Sequence, residues 1–112
     1  MIIENLLLDE IQTRTGIPTY PKVPANMPGQ FYVISKTGST FENQIHTSTI
    51  AIQSYGGNQL EAATMNENVK DAMLSLISLD EISAVVINSD YIYTDTSEKK
   101  DRYQAVFVIT HY

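Results

Sequence analysis

The chain has 112 residues, of which 43% are hydrophobic and 18% charged, and its formal net charge is −6. This length and composition indicate a single globular domain, residues 1–112, with enough apolar residues for a core, and they exclude a disordered chain. The absence of cysteine excludes disulfides, zinc–thiolate sites and thiol catalysis, and the acidic balance disfavours tight binding to nucleic acid.

The first predicted element is an amphipathic helix over roughly Ile2–Thr15. Gly16 fits the position just after a helix end, and Pro18 prevents the helix from continuing. The N-terminal segment lacks the basic flank and long apolar core of a signal peptide, and no window of the chain reaches the length of a membrane span. The apolar residues that recur at helical spacing are Ile3, Leu6, Leu7 and Ile11.

A proline-bearing segment, Thr19–Gly29, follows the helix. Its three prolines exclude it from the centre of a sheet, because each removes a backbone donor, so only a short edge strand is expected at Tyr20–Val23. Met27–Gln30 fits a type II turn. It leads into a predicted strand at Phe31–Lys36, and Thr37–Asn43 has the turn chemistry of a mobile hairpin loop.

A longer strand is predicted at Gln44–Tyr55, ahead of the second helix. The sequence Gly-Gly-Asn breaks this strand, with Asn58 as the expected N-cap and Glu61 at the third helical position. An apolar stripe then continues through about Leu79 and predicts a helix of about six turns. The stripe consists of Ala62, Met65, Val69, Ala72, Met73, Leu76 and Ile77.

The remaining elements are strands. Ile82–Asn88 is followed by Tyr91–Thr94, which pairs with it or extends it, and the charged loop Asp95–Asp101 leads into a last strand at Arg102–Tyr112. The resulting order is α-β-β-β-α-β-β-β. Runs of strands interrupted by one long helix predict an α+β fold, with a mainly antiparallel sheet packed against two helices.

The last strand is apolar without interruption from Ala105 to Ile109. A strand with one wet face alternates apolar and polar residues, so both faces of this strand need cover. Two arrangements would cover both faces of this strand. Either the two helices lie on opposite faces of the sheet, or a neighbouring subunit covers one face.

No catalytic or metal-binding motif stands out in the chain. His46 and His111 are the only histidines, and they are interpreted as polar residues at a strand edge or an interface because no second ligand lies at metal-binding spacing. The serines lie in no nucleophile elbow, and the glycines before the second helix lack the lysine of a phosphate site. We therefore expect no enzymatic activity and no cofactor.

Tyrosine is enriched, with seven residues against no tryptophan, and most lie at strand ends or beside loops. Tyrosine combines an apolar ring with a polar tip and is common at protein interfaces. Together with the doubly apolar last strand, this enrichment predicts self-association.

Four sequence segments carry a family resemblance. They are the proline-bearing Ile17–Pro24, the strand entry Pro28–Ile34, the Ile-Ala-Ile-Gln sequence Ile50–Gln53 before a helix that begins near Gln59, and Arg102-Tyr103 at the start of the last apolar strand. In this order and spacing the chain resembles the tail terminator (tail completion) proteins of long-tailed, non-contractile bacteriophages. Other phage neck and head–tail joining proteins share the pattern.

The resemblance implies a structural protein rather than an enzyme. Such proteins form a hexameric ring that caps the completed tail tube and then presents a surface to the head–tail connector protein. The expected partners are other copies of the chain, the tail tube protein and the connector, with DNA passing the ring without specific binding. The expected location is the tail or neck of the virion, after assembly in the host cytoplasm.

The predicted interface lies on the last strand near Tyr103 and on three loops. The loops Pro24–Gln30, Thr37–Asn43 and Asp95–Asp101 are expected to face the tail tube, the connector or the pore. Two other classes remain open: a small-ligand or enzymatic domain with a pocket between the second helix and the sheet, and a small adaptor that binds a partner by strand addition. The predicted interface residues are Tyr103, Phe107, Arg102, Pro28, Phe41, Lys99 and Lys100.

Overall fold

The structure, a computed structural model, describes residues 3–26, 29–42, 45–80, 82–92 and 101–111. Two helices and a five-stranded sheet make up this part of the chain, which confirms the predicted α+β class. The elements are α1 (Ile3–Thr15), β1 (Thr19–Tyr20), β2 (Phe31–Glu42), β3 (Ile45–Gly56), α2 (Gln59–Ser75), a 3₁₀ turn (Leu76–Ser78), β4 (Ile82–Ile92) and β5 (Asp101–His111).

The sheet has the strand order β1-β2-β3-β5-β4. Each of the pairs β2–β3, β3–β5 and β5–β4 is antiparallel, and only the short β1 runs parallel to its neighbour β2. The mainly antiparallel sheet is therefore confirmed. The sequence predicted a further strand or an extension at Tyr91, and the structure has the extension, since β4 runs through to Ile92.

The helix ends follow from local chemistry. Gly16 has φ +72° and donates its backbone N–H to the Gln12 carbonyl at 2.9 Å, as expected just after a helix end. At the start of α2 the Asn58 Oδ1 accepts from the Glu61 N–H at 2.8 Å, and the Glu61 carboxylate accepts from the Gly57 N–H at 2.9 Å. The bond to Asn58 confirms the predicted N-cap, and Glu61 reaches back one residue further, to Gly57.

Both helices lie on the same face of the sheet, because their buried residues belong to one core cluster. The first of the two predicted arrangements, with helices on opposite faces, is therefore wrong. Within this core the Tyr32 hydroxyl donates to the Met65 carbonyl at 2.8 Å, and burial raises the pKa of Tyr32 well above its usual value. The largest core side chains include Leu7, Ile11, Ile50, Ile52, Met65, Met73, Phe107 and Ile109.

A smaller aromatic cluster lies on the face of the sheet away from the helices. Phe31 and Tyr55 are paired across β2 and β3, and their rings stack with centroids 4.5 Å apart and planes at 8°. Tyr20 meets Phe31 edge to face at 6.1 Å, and the Arg102 guanidinium lies 5.4 Å from the Tyr55 ring centroid. This cluster closes one end of the sheet on the side without helices.

The predicted loop at Thr37–Asn43 is wrong over most of its length. Strand β2 continues to Glu42 and stays paired with β3 as far as Ile45. One extra residue, Thr37, forms a β-bulge between Lys36 and Gly38, where the register shifts. The turn-forming residues of this segment therefore lie in an exposed strand with a single irregularity.

Candidate assembly surface

The face of the sheet opposite the helices, here called the open face, is built by alternation along the strands. In β5, Phe107 points into the core and is 0% exposed, whereas Val106 and Val108 point to the open face and are half-buried. Val108 is paired with Val86 of β4, and Val106 with Ala51 of β3. These four residues form a contiguous apolar patch on the open face, flanked by Thr47, Thr49 and Thr110.

Strand β4 forms one edge of the sheet and carries exposed apolar side chains. Val86 is 57% exposed and Ile87 is 37% exposed. In the part of the chain that the structure describes, no strand pairs with the outer side of β4. An edge strand with exposed apolar residues and unpaired backbone groups is a template for pairing with another chain.

The outer segment of β2, Ser35–Glu42, is exposed at every residue. Phe41 is 62% exposed, and its ring centroid lies 4.4 Å from that of His46. His46 in turn stacks on His111 at 5.3 Å, and His111 shares a 2.9 Å hydrogen bond between its Nε2 and the Ser48 hydroxyl. Three rings thus cross three neighbouring strands at this end of the sheet, with the outermost ring in solvent.

A shallow groove of about 390 Å³ lies where α2 begins, beside β5. It is lined by Gln59, Leu60, Ala63 and Tyr103, and Leu60 is 76% exposed. The groove has one aromatic ring, apolar side chains and a single amide. Such a lining suits an apolar side chain from another protein better than a polar metabolite.

A second cleft, of about 460 Å³, lies between the two helices. Its one cation, Arg14, forms an ion pair with Glu10 at 3.0 Å and donates to the Ser75 hydroxyl at 2.9 Å. The guanidinium is therefore held by the chain itself rather than presented to a ligand.

The described residues contain no group of three or more His, Asp or Glu side chains placed to hold a metal ion. None of the helices in the described ranges is long and apolar enough to cross a membrane.

The predicted interface residues are not gathered into one site. Tyr103 lines the groove beside α2, and Arg102 lies on the open face, where its guanidinium donates to the Tyr55 hydroxyl. Phe41 lies at the far end of β2. Phe107 has no exposed surface for a partner, so the interface prediction is wrong for this residue: its apolar side chain belongs to the chain's own core.

Three predicted interface residues, Pro28, Lys99 and Lys100, lie outside the described residues. The same holds for part of the predicted turn Met27–Gln30, for the end of Tyr91–Thr94 and for all of the loop Asp95–Asp101 except Asp101, which begins β5.

Sequence reasoning did not assign Val86, Ile87 and Leu60 to an interface. The uninterrupted apolar run Ala84–Ile87 was visible in the sequence, but its position at a sheet edge depends on the strand order. Leu60 lies two residues after the helix N-cap and outside the apolar stripe of α2. Its position off the stripe was the sequence feature that indicated an exposed leucine.

No family model matches the chain, and no curated protein matches it significantly. A solved structure from Akkermansia muciniphila resembles 96% of this chain, with 12% sequence identity and a TM-score of 0.47. This chain spans 47% of that protein, about half its length. A likeness of this degree indicates neither a family nor a function for the chain.

Proposed function

We propose that the chain is a structural protein of a bacteriophage tail, which assembles into a ring that caps the completed tail tube and joins it to the head connector. The sequence resemblance to tail terminator proteins supplies the class. The observation that carries the proposal is the contiguous apolar patch on the open face, formed by Ala51, Val86, Val106 and Val108.

The patch supports an assembly role because its own chain leaves it partly uncovered. Val86 is 57% exposed, and the valines beside it on β5 are half-buried. Monomeric soluble proteins rarely expose contiguous apolar patches larger than roughly a few hundred Å², and the largest exposed patch is often a contact with another molecule. In a ring of identical subunits each contact joins two different surfaces of the chain, so the patch on every copy is covered by the same complementary surface of its neighbour.

The test is the state of association of the purified full chain. We expect a ring-sized species in sedimentation velocity and ring-shaped particles in negative-stain electron microscopy. Val108→Thr, which keeps the shape of the side chain but replaces one methyl of the patch with a hydroxyl, should shift the protein toward monomer. Thr64→Lys, on the exposed side of α2, is the matched control and should leave the rings intact.

A chain that remains monomeric at every concentration and forms no rings would contradict the proposal. Rings that bind purified phage tails only at the head-proximal end support the tail-terminator role. Rings that bind only an isolated head connector indicate the related neck or head–tail joining role instead.

A second candidate function is a small α+β adaptor that binds one partner by strand addition. The unpaired outer side of β4, with exposed Val86 and Ile87, favours it. Such an adaptor remains a monomer and binds its partner in a one-to-one complex. The same sedimentation experiment therefore separates the two candidates.

A further inference from the structure

We propose that copies of the chain join head to tail by strand pairing, with Ala84–Val86 of β4 in one copy pairing with the outer part of β2, Gly38–Thr40, in the next. The inference rests on the self-association in the proposed function and adds to it a contact at the two edges of the sheet, separate from the open-face patch. Four observations support this pairing. Both sheet edges are open, the two segments lie at the same position along the strands, their directions allow antiparallel pairing, and their side chains are complementary.

Both edges are open in the described ranges. Strand β1 pairs with β2 at Tyr32 and Val33 alone, so β2 has no outer partner beyond them among these residues. Strand β4 is the last strand on the opposite side of the sheet. Each copy therefore offers two different edges, which is the condition for a heterologous contact that repeats from copy to copy.

The two open segments lie at the same position along the strand direction of the sheet. Following the pairing across all four long strands places Gly38 in one row with Val86, Ser39 with Val85, and Thr40 with Ala84. A second copy displaced straight across the strands therefore meets the first without any shift along them. The three rows are Gly38–Thr49–Val108–Val86, Ser39–Ser48–Ile109–Val85 and Thr40–Thr47–Thr110–Ala84.

The strand directions also fit. Because three successive antiparallel pairs separate β2 from β4, these two strands run in opposite directions within one copy. A neighbouring copy whose strands keep their direction, as a rotation about an axis parallel to the strands allows in a ring, thus places its β2 antiparallel to the first copy's β4. The resulting assembly has one continuous antiparallel sheet with all helices on the same side.

The side chains at the two edges complement each other. Val86, 57% exposed, shares a row and a face with Gly38, where an added Cβ would meet no atom within 4 Å. The glycine thus leaves room for the valine of the next copy. Beyond the bulge at Thr37, Ile87 shares a row with Lys36, whose ammonium lies 3.8 Å from the Glu4 carboxylate and whose aliphatic stem can cover the isoleucine.

Beta-bulges limit the contact to this stretch. The register of β4 shifts at Ser83 and again at Asn88, and that of β2 shifts at Thr37. Between its bulges β4 is regular over Ala84–Ile87, and β2 is regular from Gly38 onward. Because bulges disrupt the ladder locally and twist an edge away, they restrict pairing to these segments and oppose other registers.

Disulfide trapping tests the pairing directly, because the chain has no cysteine of its own. Two full-length variants, Gly38→Cys and Val86→Cys, are purified separately, mixed and oxidised. Residues directly opposite each other in an antiparallel pair have Cα atoms about 4.5–5.5 Å apart, within the range that a disulfide can span. The mixture should form disulfide-linked dimers, whereas each variant alone should remain unlinked.

Gly38→Cys mixed with Ile87→Cys is the matched control, since Ile87 neighbours Val86 but points to the opposite face of the sheet. We expect linkage in the first mixture and only background linkage in the control. A second, non-covalent measurement uses Val86→Lys, a charged residue on the pairing edge, which should weaken self-association at least about tenfold. Thr13→Lys on the exposed side of α1 should leave self-association unchanged.

The outcomes separate this inference from the proposed function. If the wild-type chain forms rings but Gly38→Cys and Val86→Cys do not link, the pairing is wrong and the ring-forming function remains. If they link while the chain forms filaments or pairs but no rings, the pairing is right and the ring is wrong. If Val86→Cys links to itself, two β4 edges pair symmetrically and the inference is overturned. The inference is also overturned if the wild-type chain is monomeric and the mixed variants do not link.

Discussion

The two halves of β2 have opposite environments although they belong to one strand. Phe31–Ile34 is buried on both faces, with Tyr32 and Ile34 in the main core and Phe31 and Val33 in the aromatic cluster. Ser35–Glu42 is exposed at every residue. Pairing with β3 nevertheless continues through both halves, interrupted only by the bulge at Thr37. In this strand, backbone pairing extends well beyond side-chain burial.

The difference in burial indicates that the two halves of β2 have different roles. The inner half holds the domain together, because it joins the helix-side core to the aromatic cluster on the other face. The outer half contributes no buried side chain and leaves backbone groups on one side open. We infer that stability is concentrated in the inner half and assembly in the outer half, and the following experiments test that division.

The largest effect is expected from comparing two phenylalanines. Phe107→Ala empties a fully buried core position and should lower the free energy of unfolding by about 3–5 kcal/mol. Phe41→Ala removes a ring that is 62% exposed and should cost less than about 1 kcal/mol. Urea unfolding of the two variants, followed by circular dichroism at a concentration where the chain is monomeric, measures both values.

Equal losses of unfolding free energy in Phe107→Ala and Phe41→Ala would contradict the predicted difference between the core and the outer half of β2. They would mean that the ring of Phe41 on His46 stabilises the domain as much as a core position does. The division of β2 into a stabilising half and an assembling half would then be wrong.

The sequence predicted the inner half of β2 and failed on the outer half for a physical reason. Hydrophobic alternation reports burial, and Thr37–Glu42 is exposed at every residue. The segment therefore showed turn-forming Gly and Ser residues and a single large apolar residue, Phe41. The two helices, the Asn58 cap and the α+β class follow from local patterns and were predicted correctly, except that α2 ends at Ser75 and a 3₁₀ turn, Leu76–Ser78, replaces its predicted last turn.

The candidate site was less accessible to prediction. The apolar run in β4 is visible in the sequence, but its alignment with the outer half of β2 results from pairings between residues far apart in the chain. Phe107 was assigned to an interface because an uninterrupted apolar strand does not reveal which alternate residues the helices cover. Only the placement of both helices on one face decides this.

Tyr32 in the inner half should make stability sensitive to alkaline pH. Burial raises the pKa of its hydroxyl, so the folded state holds this proton more tightly than the unfolded state. The free energy of unfolding should therefore be constant with respect to this group below about pH 10 and fall as the pH rises further. Tyr32→Phe should lose about 1 kcal/mol at neutral pH, because the bond to the Met65 carbonyl is gone.

The measurement is urea unfolding of wild type and Tyr32→Phe at neutral pH and at about pH 10.5. The difference between the two proteins should shrink at the higher pH, since the variant lacks the buried hydroxyl. Tyr103→Phe, which leaves Tyr32 in place, is the control and should keep the alkaline decline. An unchanged difference between wild type and Tyr32→Phe would show that the hydroxyl reaches solvent in the folded state.

The smallest effect concerns whether the outer half of β2 is a strand in solution. At Gly38 an added side chain meets open space and φ lies outside the left-handed region, so Gly38→Thr should raise the free energy of unfolding by about 0.5–1 kcal/mol. Gly16→Thr is the matched control: at φ +72° the same substitution should cost about 1–2 kcal/mol. If both variants lose stability alike, Gly38 lies in a turn. The open edge of β2 that the proposed pairing with β4 requires would then not exist.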